Sequence, residues 1–134
     1  MQLDLSVDFS VLQLNSEQPI YCQLVEYVEL LVVTGQAVSG QELPSRRLVS
    51  AQLGVNPNTV QKAYRQLEQQ GLLESSAGAK SVLCFTEEQR VLLQICMQQD
   101  SARRFIGEMQ RLGLDKQQAF SLISSLWKRE EEES

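Results

Sequence analysis

Two helices joined by a very short turn are written into residues 45–71, SRRLVSAQLGVNPNTVQKAYRQLEQQG. Ser45 is an N-cap residue for a helix over about 46–53, and Gly54 closes that helix within one turn. Asn56 caps the second helix, and Pro57 takes its first position, where a missing N–H does no harm. Gly71 stops it near Gln70. Ser50, Gly54 and Val60 set how the pair crosses. A small residue lets two helices approach, glycine admits a left-handed turn, and an aliphatic residue anchors the second helix in a core. That spacing is also found in other short helices packed at an angle.

The flanks complete a recognisable order. Residues 2–14, QLDLSVDFSVLQL, alternate in part and read as an extended arm. Asn15 or Ser16 then caps a helix with Pro19 in its first turn and Ile20, Leu24, Val28, Leu31 and Val32 at helical spacing, ended by Gly35. After Gly71, the pieces 72–75 and 81–85 are β-prone and joined by a small turn containing Gly78, which predicts a hairpin. Helix, short helix, four-residue turn, helix and hairpin is the order of a winged helix-turn-helix. Thr86, followed by Glu87 and Glu88, predicts a helix toward Leu112, with a kink near Asp100–Ser101, and Gly113 stops it. Asp115 caps a last helix carrying Ala119, Phe120, Leu122, Ile123, Leu126 and Trp127, before an acidic tail. The expected fold is mainly α with a small β-hairpin wing. The expected domains are a winged helix-turn-helix with its arm over 1–85 and a helical dimerisation tail over 86–134.

Composition narrows the chemistry. At 134 residues and 43% hydrophobic, the chain can bury a core, and no apolar run nears the ~18 residues that span a bilayer. Its start, MQLDLSVDFS, lacks the basic region of a secretory signal, so the cytoplasm is the expected location and no membrane partner is expected. Cys22, Cys84 and Cys96 are an odd set among apolar residues and read as buried thiols without a disulfide framework. There is no histidine, which removes Ser-His and Cys-His nucleophiles and the commonest metal ligand. Glu87–Glu88 and Glu130–Glu133 read as solvated helix-end charges rather than as paired carboxylates across a substrate. No enzyme activity, metal or cofactor is expected.

The net charge of −5 is unevenly spread. Residues 1–40 hold five acids and no base, and residues 86–134 hold nine acids against seven bases. Residues 41–85 hold five bases (Arg46, Arg47, Lys62, Arg65, Lys80) against three acids, so only the middle third is positive. Local charge decides where a phosphate backbone docks. A helix entering the major groove presents its N-terminal turn to base edges and needs short hydrogen-bonding side chains there. Asn58, Gln61 and Lys62 lie opposite the apolar face of Val60, Ala63, Tyr64 and Leu67, flanked by Asn56 and Thr59, with helical N–H groups nearby for phosphate. An ordinary amphipathic helix with an Asn cap and a solvated face reads the same way.

The words PIY, LPS.R, LGVNPNTV and AY..LE..GL occur in order over roughly residues 18–85. In this the chain resembles the GntR family of bacterial transcription regulators, and VNPNTV..AY with a short helical tail is similar to the YtrA subfamily. The resemblance implies that Arg47 reaches DNA from the start of the second helix, with Ser45 supporting it or contacting phosphate. It places Asn56, Asn58, Thr59 and Gln61 on the reading helix, with Lys62 and Arg65 toward the backbone. Arg46 stands at a variable position, as apt for a solvated charge as for a phosphate contact. The stretch SSAGAKSVLCF keeps Gly78 but lacks the wing's usual arginine and second glycine, leaving Lys80 as its cation.

Larger members of that family carry an effector domain after the wing, where this chain has only residues 86–134. Two helices cannot by themselves enclose a ligand-sized pocket. Their apolar residues, Leu92, Ile95, Phe105, Ile106, Met109, Phe120, Ile123, Leu126 and Trp127 among them, need a cover, and a second copy is the economical one. Packing back onto the winged domain is the other solution. The expected function is a dimeric repressor on a palindromic operator of double-stranded DNA, by resemblance often that of its own operon and neighbouring transporter genes. A small-molecule effector between the paired tails is compatible with that function. The alternative is a winged-helix protein-interaction module without DNA binding, favoured only by the acidic balance and the altered wing.

Overall fold

A computed structural model describes residues 7–75 and 80–133. The elements are α1 (Ile20–Val33), β1 (Glu42–Leu43), α2 (Arg46–Leu53), α3 (Pro57–Gln69), β2 (Leu73–Ser75), β3 (Ser81–Leu83), α4 (Glu87–Arg111) and α5 (Lys116–Glu133). The chain forms two compact units, Met1–Gln94 and Ile95–Ser134, and the division falls within α4.

The first unit is a winged helix-turn-helix. Its core gathers Leu24, Val28 and Val32 from α1, Val49 from α2, Val60, Tyr64 and Leu67 from α3, and Leu83 from β3. These positions recur at helical spacing along α1 and α3, so each helix turns one apolar stripe inward. α1 does not start on Asn15 or Ser16 as the sequence predicts. Pro19 is its N-cap, with no side-chain cap. The reason lies in the buried Gln23: its Oε1 accepts from the Asn15 N–H at 2.9 Å, and its Nε2 donates to the carbonyls of Asn15 and Gln18, each at 2.8 Å. That ties the preceding loop onto the helix and leaves Asn15 Oδ1 to accept from the Glu17 N–H at 2.9 Å.

The hairpin of β2 and β3 is joined by a third strand that the sequence did not announce. The order is β1-β3-β2, all antiparallel, with Glu42 opposite Val82 and Leu73 opposite Leu83. The arm also finds a place. The Val7 N–H donates to Glu42 O at 3.0 Å, Phe9 is fully buried, and its ring lies 5.3 Å from that of Tyr27. It therefore closes the core of its own unit. The hairpin turn with Gly78 lies outside the described residues.

α4 starts on a reciprocal cap: the Gln89 N–H donates to Thr86 Oγ1 at 3.1 Å and the Thr86 N–H to Gln89 Oε1 at 2.8 Å. Asp115 and Gln118 repeat the device at the start of α5, each bond 2.9 Å. α4 runs unbroken through Asp100–Ser101, and α5 continues through the acidic tail to Glu133. Glutamate is a good helix former, so no break is forced there.

Among the described residues no helix is long and apolar enough to cross a membrane. The thiols are free, with Cys22 and Cys84 half-buried, but Cys96 is exposed, contrary to the buried thiol expected. It sits on α4, a helix with no fully buried residue.

Candidate nucleic-acid interface

The turn between α2 and α3 is stitched by Ser50. Its carbonyl accepts from the N–H groups of Gly54 and of Val55, the latter at 3.1 Å, and its Oγ donates to Val55 O at 2.5 Å. Gly54 has φ +64°, the left-handed conformation the turn requires. Ser50 thus does more than let the helices approach.

Ser45 Oγ accepts from the Leu48 N–H at 3.1 Å and starts α2. Asn56 Oδ1 accepts from the Asn58 N–H at 2.8 Å and starts α3, with Pro57 at its first position. Both residues remain exposed. The first turn of α3 offers fewer free amides than the sequence suggested. Pro57 has none, that of Asn58 is taken, and those of Thr59 and Val60 donate to Asn56 O at 2.9 and 3.4 Å. Recognition there falls to side chains. Asn58, Lys62 and Arg65 are exposed along α3, while Thr59 and Gln61 are half-buried beside them.

The five cations of the middle segment do not stand alike. Arg47 and Arg65 are exposed. Lys62 Nζ lies 4.0 Å from the centroid of the Tyr21 ring, a cation–π contact with α1. Lys80 Nζ lies 3.2 Å from Glu42 Oε1, and both side chains are exposed. Arg46 is half-buried, with its guanidinium 5.1 Å from the Tyr64 ring centroid and Nη2 3.6 Å from Glu68 Oε1. Burial pushes the Tyr64 hydroxyl far above its ordinary range, against a smaller opposing effect of Arg46. That hydroxyl donates to Pro44 O at 2.5 Å. Sequence reasoning missed Tyr21, Glu42 and Glu68 as partners of these cations. No local signal marks them, because each lies far along the chain from its partner.

The second unit, taken by itself, places the remaining sequence-predicted residues. Leu92 precedes it on α4 and is 63% exposed. Ile95, Ile106, Phe120, Leu126 and Trp127 are exposed, while Phe105, Met109 and Ile123 are half-buried. Two helices alone were not expected to enclose a ligand-sized pocket, and what they form is an open cleft. An apolar cleft of about 440 Å³ lies between α4 and α5, lined by Phe105, Ile106, Met109, Ala119, Phe120 and Ile123.

Comparison with known proteins agrees with this arrangement. The model of the family "Bacterial regulatory proteins, gntR family" matches residues 20–80. The HTH-type transcriptional regulator YhcF of Bacillus subtilis is 30% identical over 113 residues, which is 84% of this chain and 93% of that protein. The HTH-type transcriptional repressor YtrA of the same organism is 40% identical over 64 residues, 48% of this chain and 49% of that one. A GntR family transcriptional regulator from Listeria monocytogenes has a similar solved structure, with a TM-score of 0.74 and 29% identity, covering 84% of this chain and 98% of that chain. With a paired α2 and α3, a small antiparallel wing and a relative that matches over nearly its whole length, the chain belongs to the GntR family of DNA-binding transcription regulators.

Proposed function

We propose that the protein is a cytoplasmic repressor of the YtrA type that binds a palindromic operator as a homodimer, in its own operon and beside transporter genes. α3 enters the major groove, with Asn58, Thr59 and Gln61 toward base edges and Asn56 at its mouth. Arg47 reaches a base from the start of α2, Ser45 supports it, and Lys62, Arg65 and Lys80 meet phosphates. Residues 1–85 do the reading and residues 86–134 pair two copies.

The observation that carries the pairing is the apolar surface of the tail. Phe120, which lines the open apolar cleft, is 59% exposed, and Trp127 further along the same helix is 65% exposed. Exposed apolar side chains grouped in this way support an interface, and two-fold pairing matches a palindromic site. The similarity to a repressor of Bacillus subtilis supports the sign of regulation. A small-molecule effector has a specific observation in its favour too, since about 440 Å³ falls in the size range of ligand sites.

Enrichment of bound duplexes from a random-sequence pool, read by sequencing, tests the operator. A two-fold symmetric consensus is expected. Enrichment of no sequence at all overturns the reading and favours an interaction module. Transcription from a promoter overlapping the enriched site is expected to fall when the protein is added, and a rise overturns repression.

A further inference from the structure

The first turn of α2 carries two adjacent arginines with opposite surroundings. Arg47 is exposed. Arg46 lies with its guanidinium over the Tyr64 ring and its Nη2 3.6 Å from Glu68 Oε1, and its Nε is buried with no hydrogen-bond acceptor. A buried, unsatisfied N–H is costly, so the packing on Tyr64 and the attraction to Glu68 have to outweigh it. A cation held in this way, between a ring and a carboxylate, is less free to turn toward a phosphate than the exposed Arg47.

Its partners are themselves held. The Tyr64 hydroxyl donates to Pro44 O at 2.5 Å, just before the cap residue Ser45. Glu68 Oε1 also accepts from Ser75 Oγ at 2.7 Å, and Ser75 Oγ lies 3.0 Å from Ser81 Oγ. Ser75 ends β2 and Ser81 begins β3. One connected group of side chains therefore joins the start of α2, the second half of α3 and both strands where they meet the hairpin turn. Arg47 is the residue after Arg46, and Lys80 is the residue before Ser81.

We propose that Arg46 is a positioning residue rather than a phosphate contact. Through Tyr64 and Glu68 it fixes the first turn of α2, and with it Ser45 and Arg47, against α3. Through Glu68, Ser75 and Ser81 the same group fixes the turn end of the two strands, next to Lys80. This rests on DNA binding and does not need the dimer or the palindrome.

The experiment compares full-length wild type, Arg46→Met and Glu68→Ala on two probes, a duplex enriched by the wild type and a random duplex of equal length, across ~50–200 mM salt. If no duplex is enriched, the operator reading fails, and the random duplex still reads the slopes. Arg46→Met is expected to weaken binding about three- to tenfold, the scale of one cation–π contact and one ion pair, with the slope of log affinity on log salt unchanged. A slope smaller by about 0.9, the share of a single neutralised phosphate, shows Arg46 touching DNA and overturns the proposal. Glu68→Ala removes an acid near DNA and is nonetheless expected to weaken binding by a similar factor. Tighter binding by Glu68→Ala, as release of Arg46 toward phosphate would give, also overturns it. Thermal melting of each variant separates a displaced side chain from an unfolded protein, and Glu68→Ala, at a half-exposed helical site, decides the matter if Arg46→Met does not fold.

Discussion

Lys62 Nζ sits 4.0 Å from the centroid of the Tyr21 ring, so a cation on α3 is steadied by an aromatic side chain of α1. The neighbouring Asn58 has an exposed side chain and a backbone already held by Asn56. The two residues should fail differently. Lys62→Ala is expected to weaken operator and random duplex alike and to lower the salt slope by about 0.9 per phosphate it neutralises. Asn58→Ala is expected to cost about 1–3 kcal/mol on the operator and little on random DNA. Equal losses on both duplexes for Asn58→Ala would remove it from base reading. Titrations of both duplexes at several salt concentrations supply the numbers.

If Lys80 meets a phosphate as proposed, Glu42 competes for it through the 3.2 Å ion pair between them. Both side chains are exposed, so the pair itself adds little to stability. Glu42→Gln should therefore tighten binding to every duplex by about two- to fivefold, on the scale of an exposed ion pair, with the ratio of operator to random binding unchanged. Weaker binding would mean that the pair aims Lys80 rather than restrains it.

A Cβ added at Gly54 meets no atom within 4 Å, so only its φ of +64° resists substitution. Gly54→Ala is expected to cost about 1–2 kcal/mol, and Gly54→Asn less, because asparagine visits this region more readily. Denaturant midpoints at constant m-value measure both. Equal stability of Gly54→Ala and wild type would mean that the turn relaxes into another conformation.

Phe120 is 59% exposed on a single chain, so replacing it should barely trouble the fold of one copy. If two copies bury it, Phe120→Asp is expected to halve the sedimenting mass at micromolar concentration with unchanged helical circular dichroism. Dimers that persist in this variant would move the interface away from the cleft.

Much of the fold was legible because its signals are local. Ser45, Gly54, Asn56–Pro57, Gly71, Thr86 and Asp115 each mark a helix end through bonds or backbone angles within a few residues of themselves. β1 was not legible, because a strand of two residues carries no alternation and exists only through its pairing with β3. The same limit applies to the site. Which residues of α3 point outward follows from helical period, whereas what holds Arg46, Lys62 and Lys80 depends on contacts between elements distant in sequence. The start of α1 was misplaced for a related reason: Gln23, a residue inside the helix, holds Asn15 and Gln18 in a loop that precedes it.

Phe9 has a wider bearing. It is fully buried, with Val7, against a core built mostly from the segment that matches the family, and that match begins only at residue 20. The stretch that the family match covers and the stretch that folds as a unit are thus different lengths here. A fragment cut at the boundary of the match would leave a vacancy the size of a phenyl ring beside Tyr27, and losing such a side chain costs about 3–5 kcal/mol. Both helices of the turn lie inside the family match, while the plug that seals their core belongs to a segment the match does not reach.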